Sequence, residues 1–262
     1  MKTRLFELFL LIALTLPATV LAQTAEERGL EIAIEVDRRD TGFGDLAVQM
    51  GMLLRNRHGE ESQRHMRNKI MEVAGDGDKS MIVFDRPRDV QGTALLTYTH
   101  KTEPDDQWLY LPALKRVKRI ASRNKSGPFM GSEFAYEDLT SQEVEKYNYK
   151  FIEQKQLDGV PMWLIERYPL DKYSGYTRQL VWIHRDEYRP EKIEFYDRKN
   201  ALLKTLVFRG YQKYLDQFWR ADEMYMENHQ TGKSTLLSWK DYRFRNGFSE
   251  ADFRKNALKR AK

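Results

Sequence analysis

The chain has no cysteine among its 262 residues. That excludes a disulfide scaffold, and it excludes a tether through a lipidated N-terminal cysteine. Histidine is scarce: the five residues His58, His65, His100, His184 and His229 include no HExxH pair, so no metal site and no cofactor are expected. Long apolar runs are missing too. The stretch Leu8 to Leu16 falls far short of the ~20 residues that a spanning helix needs. There is no G-x-S-x-G elbow, no Walker pattern and no Pro/Gly/Ser-rich linker, and no long internal repeat. Adjacent acids such as Asp105 with Asp106, or Glu137 with Asp138, fall in turn-like contexts and do not make the converging pair a glycosidase requires.

What is present starts with an export signal. Lys2 and Arg4 precede Leu8 to Leu16, and the small-residue exit Val20-Leu21-Ala22 predicts cleavage after Ala22. Residues 1–22 then form the signal peptide and 23–262 a single domain, exported to a periplasm. Removing two cations and one anion lowers the net charge from +5 to +4. With 32% charged and 12% aromatic residues, the remainder is too rich in large apolar groups to be disordered.

From Thr24 the segment "TAEERGLEIAIEVDRRDTGFG" reads as a helix, capped by Thr24, with Glu26 and Glu27 at its positive end and Gly42 and Gly44 past its stop. Leu30, Ile32, Ala33, Ile34 and Val36 give it a wide apolar face, which must lie on something apolar. Then come strands. In "DLAVQMGMLLR" the alternation places Leu46, Val48, Met50, Met52 and Leu54 on one face. Ten or more such segments follow, separated by turn signals such as "AGDGDK", "LDGVP" and "HQTGKS". The pattern predicts a mainly β (α+β) fold built on a continuous antiparallel meander. Ser249 with Asp252 marks a short closing helix.

"DQWLYLPALKRVKRI" sets aromatics ahead of Lys115, Arg116, Lys118 and Arg119. Cations next to aromatics suit nucleic acid, but export argues against that partner. A membrane or protein-partner surface remains, with transient membrane contact only. So does a plain sheet edge whose charge blocks edge pairing.

The run Asp106 to Leu139, "DQWLYLPALKRVKRIASRNKSGPFMGSEFAYEDL", resembles the signature of periplasmic outer-membrane lipoprotein-sorting proteins of the LolA-like superfamily. The matching residues are Trp108, Tyr110 and Pro112, the basic run Lys115 to Arg119, and Phe129, Met130, Gly131, Phe134 and Tyr136. The resemblance implies a strongly curved antiparallel sheet forming an incomplete barrel, with helices as a lid over an apolar cavity that takes acyl chains of a lipid or lipoprotein. It implies a carrier and not an enzyme, partnered with an inner-membrane transporter of the resistance-nodulation-division type. On that fold the expected cavity lining is Leu46, Val48, Met50, Met52, Leu54, Trp108, Tyr110, Leu164, Trp182, Phe195, Met224 and Met226. The expected lid helix presents Leu30, Ile34 and Val36. Two alternatives from other classes are a non-carrying transporter adaptor docking through Lys115 to Arg119, and a lipid or glycan ester hydrolase using Ser132 or an acid from Glu133 to Asp138.

Overall fold

A computed structural model describes residues 23–260; the expected signal peptide and its cleavage point lie outside the described residues. Helix α1 spans Ala25–Asp40. Its start is chemically explicit: the Glu27 amide donates to Thr24 Oγ1 at 3.1 Å while the Thr24 amide donates to the Glu27 carboxylate at 2.9 Å, a reciprocal capping box. Acids stand in the first turn and Arg38 and Arg39 in the last, each matched to the helix dipole. Beyond the helix, Gly42 and Gly44 hold φ of +105° and +80°, and their amides donate to the Glu72 carboxylate at 2.7 and 2.5 Å. The chain is thereby delivered into the sheet.

Fifteen strands follow among the described residues: β1 Asp45–Arg55, β2 Glu61–Met71, β3 Lys79–Arg86, β4 Ala94–Tyr98, β5 Asp106–Leu111, β6 Arg116–Ile120, β7 Tyr147–Leu157, β8 Val160–Pro169, β9 Tyr176–His184, β10 Pro190–Asp197, β11 Leu202–Arg209, β12 Gln212–Tyr214, β13 Phe218–Arg220, β14 Glu223–Asn228 and β15 Lys233–Phe244. Thirteen form one antiparallel sheet in the order β6-β5-β4-β3-β2-β1-β15-β14-β11-β10-β9-β8-β7, and β12–β13 is a separate hairpin. The first and last strands meet in the middle, Met50 opposite Trp239. The sheet is thus two meandering arms joined at β1–β15. Its edges, β6 and β7, are not paired with each other, so the barrel is open.

Each arm turns one face inward. A single large core on the concave side takes in Leu46, Val48, Met50, Phe84, Ile165, Val181, Phe195, Leu206 and Leu237, with Ile32 and Ala33 of α1. The convex side is covered locally by the C-terminal segment: Phe253 and Leu258 pack on Met81, Val83, Ala94, Leu96 and Trp108. Asp45 anchors that segment by accepting the amides of Asn246, Gly247 and Phe248 at 2.7–3.1 Å. The Ser249–Asp252 cap opens a 3-10 turn, Glu250–Phe253, followed by the one-turn helix α2, Lys255–Leu258.

Candidate functional site

Between α1 and the concave face lies a cavity of about 1300 Å³, larger than the ~300–1,000 Å³ common for small-molecule pockets. Its deep wall is apolar, formed by Ile165, Val181, Ile183, Ile193, Phe195, Leu206, Phe208 and Leu237 along successive strands. Strand periodicity produces this wall, because every second residue of adjacent strands points to the same side.

Of the expected lining residues, Leu46, Val48, Met50, Phe195 and Met224 border this space, and so does Val36 of the lid. Met52 and Met226 sit on the same face but within solid core, and Leu54 packs against that core at its margin. Four expectations fail because the residues point the other way. Trp108 and Tyr110 lie on the convex side, where Trp108 is sandwiched by the C-terminal segment, with Lys255 Nζ 4.1 Å from its ring centre. Leu164 and Trp182 form a second convex cluster with Met162, capped by Lys192 at 3.8 Å from the Trp182 ring. In each case the neighbouring position faces inward: Leu109 beside Trp108, Ile165 beside Leu164, Val181 and Ile183 beside Trp182.

The lid needs a similar correction. Leu30 and Ile34 are 42% and 49% exposed and point away from the cavity. α1 instead buries Gly29, Ile32 and Ala33. A Cβ at Gly29 would stand 2.7 Å from the backbone nitrogen of Phe151, so the helix rests on β7 through its smallest residue. The other end of α1 is tied to the mouth: Arg39 donates to the Asp186 carbonyl at 2.6 Å, and Asp40 pairs with Arg220 of the β12–β13 hairpin.

One flank of the cavity is polar and acidic. Asp37 of α1, Asp78 before β3 and Glu143 of the segment leading to β7 all border it, with Asn68 and Ser80. Glu143 is only 7% exposed. Burial, and then the nearby Glu143 carboxylate, push Asp78 up to about 7. Burial followed by Asp37 raises Glu143, and burial raises Asp37. Periodicity gives no hint of this flank, because its members come from a helix, a turn and an irregular segment.

At the opposite end, residues 121–146 cross the concave face and plug it. Phe129 stacks obliquely on Phe84 at 5.7 Å, and Arg64 donates to the Met130 carbonyl at 2.5 Å. A buried ion pair fastens the plug: Lys204 Nζ lies 2.6 Å from Asp138 Oδ2 and 2.9 Å from the Glu133 carbonyl. Tyr176 donates to Asp138 Oδ1 at 2.8 Å, and Asn228 donates to Glu133 at 2.6 Å. Burial and the Asp138 charge hold Tyr176 well above the ordinary phenol range. Ser132 is buried, its hydroxyl donating to the Phe129 carbonyl at 2.7 Å. Serine and acids alike serve here as structural ties.

A proposed outer-membrane lipoprotein-sorting domain from Vibrio parahaemolyticus is 58% identical to this chain, with a TM-score of 0.88 over 89% of this chain and 99% of its own. The chain belongs to the family of outer-membrane lipoprotein-sorting domains. A DUF1329 family protein from Desulfovibrio piger is 30% identical over 90% of this chain and 99% of its own, with a TM-score of 0.85. A LolA superfamily protein from Nitrosomonas europaea, at 19% identity and a TM-score of 0.71 over 87% and 98%, shares the fold. The family profile that matches residues 76–260 is described as uncharacterized protein-like. A comparison with curated proteins finds no match.

In this LolA-like domain the run that carried the resemblance divides into two structural parts. Its first part is the β5–β6 hairpin, whose turn places Lys115 at φ +51° and whose short second strand is the sheet edge. Lys115, Arg116, Lys118 and Arg119 are all exposed there, and Arg119 pairs with Asp106 at 2.5 Å. Its second part is the plug, in which Gly131 takes φ +81° and Phe129 and Phe134 are buried.

Proposed function

We propose that this protein is a periplasmic carrier that receives acyl chains of a lipid or lipoprotein in the cavity beneath α1 and shuttles them between an inner-membrane transporter and the outer membrane. The observation behind this reading is the 1300 Å³ apolar-walled space between lid helix and sheet. Each methylene moved from water into such a wall gains about 0.8 kcal/mol, and an open barrel can widen without breaking a closed hydrogen-bond ring. Methionines at Met50 and Met224 suit guests of varied shape, since the thioether side chain is unbranched and polarizable. The lipoprotein-sorting assignment of the Vibrio parahaemolyticus relative supports the same class of cargo.

On this reading residues 1–22 direct export and are removed after Ala22. Ala33 and Val36 of α1 occupy the mouth in the empty protein and give way when cargo enters. The exposed cations of the β5–β6 hairpin meet a resistance-nodulation-division transporter or an anionic membrane surface, where each basic residue near the headgroups adds about 1 kcal/mol. The protein is not an enzyme.

The test is saturable binding of a fluorescent fatty acid by the parent and by Met50→Asp and Phe195→Asp. The parent binds and both variants lose affinity at least tenfold. Parent protein that shows no saturable binding, or variants that bind as the parent does, overturn the proposal.

A further inference from the structure

One cation on the cavity wall has no counter-ion. Arg167 of β8 is half-buried and borders the hollow beneath α1, and among the described residues no carboxylate forms an ion pair with it. Its chain neighbour Glu166 faces the convex side and pairs there with Arg178 at 2.7 Å. The guanidinium is nevertheless held in place: its Nε donates to Gln179 Oε1 at 2.5 Å, and its central carbon stands 5.0 Å from the Tyr147 ring centre. The remaining donors, on Nη1 and Nη2, meet no acceptor among the described residues. Charges taken out of water normally have a partner.

Two further donors flank it. Antiparallel register sets Tyr149 of β7 opposite Arg167 and Arg167 opposite Gln179 of β9, so the three stand in a row on the concave face. Gln179 is 3% exposed. Because arginine only donates, the bond from Arg167 fixes oxygen as the near end of the Gln179 amide, whose NH2 is left without an acceptor among the described residues. The hydroxyl of Tyr149, a buried side chain, has no partner there either. Burial holds Tyr149 above the ordinary phenol range, and Arg167 is the charge that most offsets it. Two residues along each strand an apolar row runs alongside: Ile165 opposite Val181, Val181 opposite Ile193, and Ile193 opposite Leu206.

The acids around the same cavity are answered by other groups. Lys101 acts on Asp37 and Glu143, Ser141 donates to Asp78 at 3.2 Å, and Lys204 pairs with Asp138. Ser174 Oγ and the Gly175 amide donate to the two oxygens of Glu137. What stays open on the β7–β9 wall is a positive charge with neutral donors on either side.

We propose that Arg167, Gln179 and Tyr149 form an oxyanion headgroup site, and that the cargo is an amphiphile with a carboxylate or phosphate head whose hydrocarbon lies along the Ile165–Val181–Ile193–Leu206 row. The fork of a guanidinium matches two oxygens of either head. A neutral head would leave the charge unmet, and an ammonium would meet a like charge. The proposal rests on the carrier reading and sharpens it, since cargo is then chosen by head as well as by tail. Fatty acid and phospholipid are the two sources of such a head.

The experiment is displacement of a neutral fluorescent probe, N-phenyl-1-naphthylamine, from the purified protein at about pH 8 by dodecanoate, dodecyl phosphate, dodecanol and dodecylamine, each below its micelle concentration. One or both anions are expected to compete at least tenfold better than dodecanol, and dodecylamine no better. Preference for dodecanoate reads a fatty-acid source, and preference for dodecyl phosphate a phospholipid one. In Arg167→Met, which keeps side-chain length and removes the charge, the ratio of anion to alcohol falls to within threefold. Gln179→Glu sets a carboxylate against Arg167 and fills the site from within, so the preference is lost there too; being nearly isosteric and ion-paired, this variant remains readable if Arg167→Met does not fold. Equal competition by anions and alcohol in the parent overturns the headgroup site while leaving the carrier reading intact, and so does an anion preference that persists in a folded variant. No saturable binding of probe or amphiphiles overturns both.

Discussion

Lys204 Nζ stands 2.6 Å from Asp138 Oδ2, with the two side chains only 4% and 6% exposed. This pair links β11 to the plug, and Tyr176, the Ala135 amide and the Glu133 carbonyl satisfy its remaining bonds. Removing one member leaves the other charged and buried, which costs about 3–5 kcal/mol. Lys204→Met and Asp138→Leu are each expected to lose that much in denaturant unfolding. The double variant recovers a substantial part, because no lone charge remains. Equal losses in all three would mean that the plug is not fastened by this pair.

Gly29 predicts how the lid is seated. Gly29→Ala drives a methyl group into the β7 backbone, so α1 must lift from Phe151. Overpacking of this kind costs ~1–3 kcal/mol. Hydrogen exchange across residues 25–40 should speed up in the variant while exchange in β1 and β15 stays slow. Leu30→Ser and Ile34→Ser, on the outward face, should change neither measurement by more than ~0.5 kcal/mol.

The convex cluster separates stability from cargo binding. Trp108→Ala removes a buried ring from beneath Phe253 and Leu258 and should cost about 3–5 kcal/mol. Affinity of the folded variant for a fluorescent fatty acid should remain that of the parent, since the ring does not border the cavity. A loss of affinity in a variant that is still fully folded would place Trp108 in the binding path.

Asp78 gives a pH dependence with a definite sign. Its folded-state pKa, about 7, lies above the ordinary carboxyl value of 3.8. The folded protein therefore keeps a proton that the unfolded chain has released, and stability contributed by this group is full below about pH 4 and is lost as the pH rises toward 7. The raised Glu143 and Asp37 act in the same direction. Asp78→Asn should flatten the fall in stability between pH 5 and pH 8 and gain about 1–2 kcal/mol at the upper end, less than the full linkage because the group keeps part of its hydration. An unchanged profile would mean that Asp78 ionises freely.

How much of this was legible in the sequence depends on the range of the forces involved. The Thr24–Glu27 cap and the Ser249–Asp252 cap are local chemistry and could be read directly, at the first as a full helix and at the second only as a turn and a stub. The run Leu46 to Leu54 announces a strand with one apolar face. Which face of a strand turns inward is a different matter when both are apolar. Trp108 and Leu109 are neighbours, and only the distant C-terminal segment, docked by Asp45, makes the convex side of β5 a buried one. Trp108 and Trp182 are the bulkier residues of their pairs yet face the convex side, and Leu164, equal in size to Ile165, does so too. On α1, bulk misled in the same way, because contact with β7 favours Gly29 and Ala33 over Leu30 and Ile34. The acidic flank was hidden for another reason. Asp37, Asp78 and Glu143 lie far apart in the chain: the segment leading to β7 brings Glu143 to the Gly77–Asp78 turn, and α1 adds Asp37.

The space under α1 is proposed to hold hydrocarbon. Native mass spectrometry of the protein purified from the cells that make it is the decisive measurement, with the spectrum repeated after organic extraction. The expected result is a population heavier than the bare polypeptide by the mass of one amphiphile, absent after extraction and depleted in Phe195→Asp. A single species at the polypeptide mass, unaltered by extraction and by incubation with excess lipid, would contradict it.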